Sequence, residues 1–291
     1  MERILVPLDG SSLGESILPV AELLARHQNV EIIFLRAVVA RPVVLEGEVH
    51  EIQMETTGEV MEYLKAITDR FRGKGLAAKW ALWHEEPVTA IAKAVKEERV
   101  DLIAMATHGR SGLSRLLAGS VAAEVVRETE VPVLLVRERP ASESWSQRRI
   151  LVALDGGEAA EAVLSVVERF GSPRDSTISL LTVIEPLPSV AQAESSFRVD
   201  EMIVLRRDDA ERYLEKVAEP LKAKGWRVET QVRFGRVAET IGDFARQAEA
   251  GMIAMVTHGR HGLGRFFLGS VAEEVLRRST IPVLLMKGEE R

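Results

Sequence analysis

MATHGRSGLSRLLAGSVAAEVVRETEVPVLLV, residues 105–136, returns as MVTHGRHGLGRFFLGSVAEEVLRRSTIPVLLM, residues 255–286, without a gap and with more than half of its positions identical. Repetition at that level makes the chain one unit written twice. Upstream, Val60, Leu64, Ile67 and Phe71 stand 150 positions before Ala210, Leu214, Val217 and Leu221. Each set follows i, i+4, i+7, i+11, the buried stripe of one helix. At the head of each unit RILVPLDG (residues 3–10) is answered by RILVALDG (residues 149–156), now 146 positions apart. The second unit therefore holds about four more residues between its first strand and its long helix, an insertion that a surface loop absorbs at little entropic cost.

The units are domain-sized rather than solenoid-sized. The expected boundaries are 1–138 and 149–291, with residues 139–148 as a polar, proline-containing linker. Trp145, inside that linker, reads as an aromatic packed on one domain face. Within the first unit, residues 4–8 form an apolar run of strand length. Ser12 followed by Glu15 is a capping-box pattern that opens a helix to about residue 26. Residues 30–39 are β-branched and mostly apolar, as a strand covered on both faces is. A long helix is expected over residues 49–72, stopping at Gly73 and Gly75. Residues 77–83 read as a strand, Pro87 starts a helix where a missing N–H is harmless, and residues 102–106 form a short buried strand. A glycine-rich loop follows, then a helix capped by Ser120 and running to about residue 129, then a last strand at 133–136. Strands alternating with helices predict an α/β fold: two tandem, doubly wound, parallel five-stranded sheets with helices on both faces and right-handed crossovers.

Composition narrows the function. Of 291 residues, 46% are hydrophobic and 28% charged, the balance of a globular protein with ample chain for two cores. A formal charge of −6 and a pI near 5.7 disfavour a general nucleic-acid footprint. No apolar run approaches the length that spans a bilayer, so no membrane association is expected. MERILVPLDG enters a strand-like run at once, so no signal peptide is expected. The absence of cysteine excludes disulfides, thiol nucleophiles, Fe–S clusters and cysteine-ligated zinc, and agrees with a reducing cytoplasm as the expected location.

In such sheets ligands bind beyond the carboxyl ends of the strands, where the strand order reverses. Two places there carry unusual residues. One is Asp9 after the first strand, mirrored by Asp155. The other is the loop from Thr107 to Gly119, mirrored from Thr257 to Gly269. Gly109 and Gly112 lack a Cβ, so the backbone can lie close to a ligand. Gly119 and Ser120 stand just before a helix, whose first N–H groups and positive dipole end favour an anion. The Ser120 hydroxyl either caps that helix or donates to a phosphate oxygen, and Arg110 and Arg115 add charge nearby. The loop is neither a Walker A sequence nor a GxGxxG fingerprint. Read without a ligand, it is a turn that reverses the chain onto a capped helix. Asp9 likewise reads either as an Asx-turn acid or as a carboxylate accepting from a nucleoside's hydroxyl or amino groups.

The chain resembles the universal stress protein family in its tandem two-domain form. The resemblance covers nearly the whole sequence and rests on ILVPLDGS, the long second helix, and G-x2-G-x9-G-[ST] followed by a helix and PVLLV. It implies a fold like the adenine nucleotide α-hydrolases and binding of ATP or ADP with Mg²⁺, the metal held through the phosphates rather than by the protein. The glycine pattern falls on Ala106, Gly109, Gly119 and Ser120, and in the second copy on Val256, Gly259, Gly269 and Ser270. Both copies depart from it at the first glycine, where Ala106 adds one methyl and Val256 is β-branched, which either crowds the ribose or forces a different backbone there.

By the same resemblance Asp9 and Asp155 hold the adenosine part, beside Pro7. Ala37 and Val183 meet the adenine through their backbones, and Met105 and Met255 lie on the base side. Val121 and Ala122, with Val271 and Ala272, join the two Gly-Ser pairs in the phosphate contacts, and His108, Arg110 and Arg260 belong to the same loops. The family also implies an internal pseudo-dimer of the two domains through their last strands, and a homodimer of chains.

Other candidates read as structural. His108 and His258 precede key glycines, but nothing pairs with either as a catalytic base. His258 and His261 lack a third metal ligand, and Ser111 replaces the second in the first copy. The acidic turn His84-Glu85-Glu86 becomes Phe234-Gly235-Arg236 in the second copy, so no shared chemistry is read there. Ser11 and Ser12 lack a nucleophile-elbow context. The expectation is a nucleotide-responsive stress regulator, with slow hydrolysis at most. One rival is a member of the same family that binds no nucleotide and works through protein contacts. The other is an enzyme of the wider adenine-nucleotide α-hydrolase type, which would need an added substrate domain or a catalytic acid–base pair, and neither is visible in the sequence.

Overall fold

The computed structural model describes residues 1–28, 30–39, 41–45, 48–52, 56–107, 120–137, 149–186, 196–257 and 268–288. The chain divides into two compact units, Met1–Pro140 and Ala141–Arg291. In the first, the elements are β1 (Arg3–Pro7), a 3-10 turn (Gly14–Ile17), α1 (Leu18–Gln28), β2 (Glu31–Ala37), a hairpin of β3 (Arg41–Leu45) and β4 (Glu48–Ile52), α2 (Thr57–Arg72), β5 (Ala78–Trp83), α3 (Pro87–Glu97), β6 (Leu102–Ala106), α4 (Ser120–Glu128) and β7 (Val133–Val136). The second unit has β8 (Arg149–Ala153), α5 (Glu158–Glu161), α6 (Val163–Phe170), β9 (Thr177–Ile184), α7 (Ser196–Ala223), β10 (Arg227–Phe234), α8 (Val237–Gln247), β11 (Met252–Val256), α9 (Ser270–Arg278) and β12 (Val283–Met286).

Within the first unit the strands lie in the order β5-β2-β1-β6-β7, and within the second in the order β10-β9-β8-β11-β12, with parallel pairing throughout each set. The first strand is central. The chain runs out from it on one side and then crosses over to the other, so the switch point lies between β1 and β6, and between β8 and β11. Strand composition explains this layering: Ile4, Leu5 and Val6 of β1, and all of β6, are buried, as strands covered on both faces require. The offset of 146 persists through β9, since Arg3↔Glu31 and Arg149↔Thr177 are equivalent register pairs. The extra residues of the second unit therefore lie after its second strand.

The helical stripe forms as expected in α2, where Val60, Leu64, Ile67 and Phe71 are buried. In α7 Leu214, Val217 and Leu221 are buried and Ala210 is half-buried. Phe71 meets Phe34 of β2 edge-to-face, with ring centroids 4.9 Å apart. Gly75 and Gly225, both with positive φ, follow the ends of these helices, where a side chain would be strained.

Three local expectations are corrected. The long helix does not start at residue 49: residues 48–52 pair antiparallel with 41–45, and α2 starts after Thr56. The Thr56 hydroxyl accepts from the Glu59 N–H, and the Glu59 carboxylate accepts from the Thr56 N–H, a complete capping box. Ser12 forms no such box with Glu15: the turn opens at Leu13 with no side-chain cap, and Ser11 Oγ accepts from the Gly14 N–H at 2.9 Å. Ser120 and Ser270 are the first residues of α4 and α9 rather than their caps, and Gly269 occupies the cap of α9.

Candidate functional site

Strand β1 ends at Pro7, and the chain turns through Leu8 to Asp9 at the carboxyl end of the sheet. Asp9 Oδ1 accepts from the Ser11 N–H at 3.0 Å and from Ser11 Oγ at 2.7 Å. This is an Asx-turn reinforced by a hydroxyl. The carboxylate lies over Gly14, where a Cβ would stand 2.2 Å from Oδ1. In the second unit Gly157 replaces Ser11 and Ala160 replaces Gly14. There Asp155 Oδ1 accepts from the Gly157 N–H at 2.9 Å, and the acid is exposed where Asp9 is half-buried.

A residue that the sequence reading missed sits behind this turn. Arg36, in the otherwise apolar strand β2, is only 7% exposed, and its Nη1 donates to the Leu8 carbonyl at 3.1 Å. Thr182 takes the equivalent place, donating from Oγ1 to the Leu154 carbonyl at 3.1 Å. Tyr63 of α2 belongs to the same neighbourhood. Its phenol is pushed above its ordinary value first by burial and then by the negative charge of Glu15 and Asp9, against the pull of Arg36. The available signal was a charged residue inside the buried run FLRAV.

On the other side of the switch point, β6 delivers Met105 and Ala106, both buried, and the Thr107 N–H donates to the Val136 carbonyl at 2.9 Å. In the second unit Met255 and Val256 are buried, and the Thr257 N–H donates to the Met286 carbonyl at 2.9 Å. The Gly269 N–H is committed to the Thr257 carbonyl at 3.0 Å, which returns the end of the loop to its strand. The first N–H groups of α9, from Ser270 onward, have no partner within the helix itself. His108, Gly109, Arg110, Gly119, Gly259 and Arg260 lie outside the described residues, as do His258, His261 and Trp145. Ala37 closes β2, and Val183 stands one residue before the end of β9; both are half-buried.

In the second unit a cavity of about 300 Å³ opens between the starts of α8 and α9, lined by Glu185, Arg236, Ser270, Val271, Glu274 and Arg278 among others. It gathers two of the expected phosphate contacts, Ser270 and Val271, with a cation that the first unit lacks, since Glu86 stands at the place of Arg236. Arg278 is paired with Glu274 at 2.5 Å and faces Glu239 at 3.8 Å. Hydrogen bonds from Arg277 and Arg278 hold the Glu274 carboxyl below its ordinary range. Among the described residues no group of three or more His, Asp or Glu could hold a metal ion, and no helix is long and apolar enough to cross a membrane.

Comparison with known proteins matches the model of the universal stress protein family to residues 1–137 and 147–287. A universal stress protein of Methanocaldococcus jannaschii is 30% identical over 145 residues, which is 48% of this chain and 82% of that protein. The universal stress protein YxiE of Bacillus subtilis is 32% identical over 145 residues, covering 46% of this chain and 98% of its own length. Among solved structures, a universal stress protein from Archaeoglobus fulgidus superposes with a TM-score of 0.73 at 23% identity, covering 98% of both chains, a likeness of fold.

Proposed function

The chain belongs to the universal stress protein family, with two of its domains in tandem, and from that premise we propose that it binds an adenine nucleotide, ATP or ADP, and acts as a nucleotide-dependent stress regulator. The observation that carries this reading is the topology at the switch point. The acid after the first strand and the Ser-Val-Ala start of a helix after the fourth come from strands that are neighbours in each sheet. A nucleotide needs both ends held. Asp9 is a carboxylate for the hydroxyls of the sugar, and the first turn of α4 offers N–H groups and a positive dipole end to the phosphates. Mg²⁺ fits this reading as an ion held by phosphate oxygens, which need no cluster of protein carboxylates. Hydrolysis at such a site is slow at most in this reading, since phosphates held at a helix end gain electrostatic help alone.

The test is nucleotide analysis of freshly purified, acid-extracted protein together with calorimetry against MgATP. Bound adenine nucleotide, or a saturable heat, supports the reading; a clean protein silent to MgATP sinks it. One observation favours the rival, an interaction protein without nucleotide: Val256 is buried at the end of β11, where the family pattern has glycine. Val256→Gly is expected to strengthen MgATP binding, and an unchanged affinity and stoichiometry would clear the valine as an obstacle.

A further inference from the structure

A guanidinium is always charged, and burying it is costly unless its surroundings repay it. Arg36 is buried at a strand end, so what it touches explains its presence. Its Nη1 donates to the Leu8 carbonyl, the peptide group that leads directly into Asp9. The Leu8 N–H donates to the Leu35 carbonyl at 2.8 Å. The two bonds stitch β1 to β2 one step beyond their last register pair, Pro7↔Leu35. Asp9 then folds onto Ser11, and Ser11 onto the Gly14 N–H. Glu15 follows Gly14, and its N–H donates to the Ser11 carbonyl at 3.0 Å. The Tyr63 phenol feels the charges of Glu15, Arg36 and Asp9 alike, which places the guanidinium on the same side of the sheet end as this turn. The second unit supplies its own control. Thr182 keeps the bond to the carbonyl before the acid and omits the charge.

We propose that Arg36 is a positioning residue for Asp9: it pins the peptide entering the acid and brings a permanent positive charge to the strand end behind that turn, so that the two units are unequal sites and the first holds the hydroxyl-bearing half of its ligand more firmly. This rests on the nucleotide reading above. A fixed cation near a carboxylate favours its ionised form, the form that accepts hydrogen bonds from sugar hydroxyls. Threonine at the same place orders the backbone equally well but leaves the acid to solvent.

The experiment uses the full chain with Arg36→Thr, Arg36→Lys and Thr182→Arg, all checked by circular dichroism, and reads two quantities. The first is MgATP affinity by calorimetry. The second, taken without nucleotide, is the titration midpoint of the Asp9 and Asp155 carboxyls by carbon NMR. Arg36→Thr is expected to weaken MgATP by about tenfold and to raise the Asp9 midpoint. Arg36→Lys, which keeps a charge, is expected to recover most of the midpoint shift. Thr182→Arg is expected to lower the Asp155 midpoint, and it decides the matter if Arg36→Thr does not fold. Unmoved midpoints, with MgATP affinity within about twofold of the parent, would overturn the proposal. A parent protein that ignores MgATP would instead remove the nucleotide reading, while the midpoints still judge Arg36.

Discussion

Between its second strand and its long helix the first unit makes a hairpin, β3 and β4, and enters α2 through the Thr56 box; the second unit reaches α7 already at Ser196, 11 residues ahead of Arg207, the counterpart of Thr57. The same stretch of the repeat is strand in one copy and helix in the other. The five-stranded order and the buried helical stripe do not change. The lesson is where the repeat is constrained. The stripe is held by burial against the sheet and the central strands by burial on both faces, so substitutions there are felt throughout. Among the described residues the connector joins no strand of the five-stranded ladder, and it follows whatever local pairing its own residues offer. The turns after β1 and β8 lie between these extremes: each begins with the same Leu-Asp-Gly, yet Ser11, Gly14 and Arg36 in one and Gly157, Ala160 and Thr182 in the other give the two acids different surroundings.

The comparison can be broken first in the core. Phe71→Ala is expected to cost about 3–5 kcal/mol, because it leaves a cavity and removes the edge-to-face partner of Phe34. Leu221→Ala, its counterpart in α7, is expected to cost less, at the lower end of the roughly 2–5 kcal/mol range, since leucine leaves a smaller void. Urea midpoints measure both; equal losses would mean that the aromatic pair adds nothing. Next comes the acid. Asp9→Asn is expected to weaken MgATP by tenfold or more, in line with about 1.5–3 kcal/mol for hydrogen bonds to a charged group, and Asp155→Asn by less. Calorimetry on the two variants would erase the asymmetry if their losses matched.

A smaller effect sharpens the contrast between the connectors. Thr56→Ala removes the capping box and is expected to lower stability by about 1 kcal/mol. Arg206→Ala, at the matching place inside α7, is expected to stay within about 0.5 kcal/mol, as exposed positions do. The last prediction is silent at neutral pH. Tyr63 is held protonated in the folded chain, so its folded value lies above the unfolded one. Its contribution is fully present below about pH 10 and is lost as pH rises through the gap between them. Urea midpoints read together with tyrosinate absorbance should fall above about pH 10 in the parent and fall less in Tyr63→Phe. A variant that tracks the parent would show that the phenol is not linked to folding.

Residues 49–72 show why part of the fold was legible and part was not. From Thr57 onward the apolar spacing is helical and long, and the helix forms there. Residues 48–52 form a short apolar-polar run that suits either a helix turn or a strand, and periodicity cannot arbitrate at that length. Their antiparallel partner at 41–45 decides. The capping box was readable as Thr-x-x-Glu at 56–59, but it lay inside the span already assigned to helix. The candidate site divides in the same way. Asp9 stood out because an acid after a buried strand is conspicuous, and Gly-Ser before a helix was equally plain. Arg36 was not, because its partner lies 28 residues away, on the neighbouring strand.

Taken alone, the sequence determined the duplication, the alternation of strand and helix, the buried stripe of the long helices and the acids at the strand ends, since each of these is written in the spacing of near neighbours. Only the tertiary structure decided that the first strand is central, that residues 48–52 are a strand, that Ser120 and Ser270 begin their helices rather than cap them, and that Arg36 and Thr182 stand behind the two acids. Those facts depend on which backbone groups face one another across the sheet, and such partners are chosen by register and burial rather than by any residue's immediate neighbours.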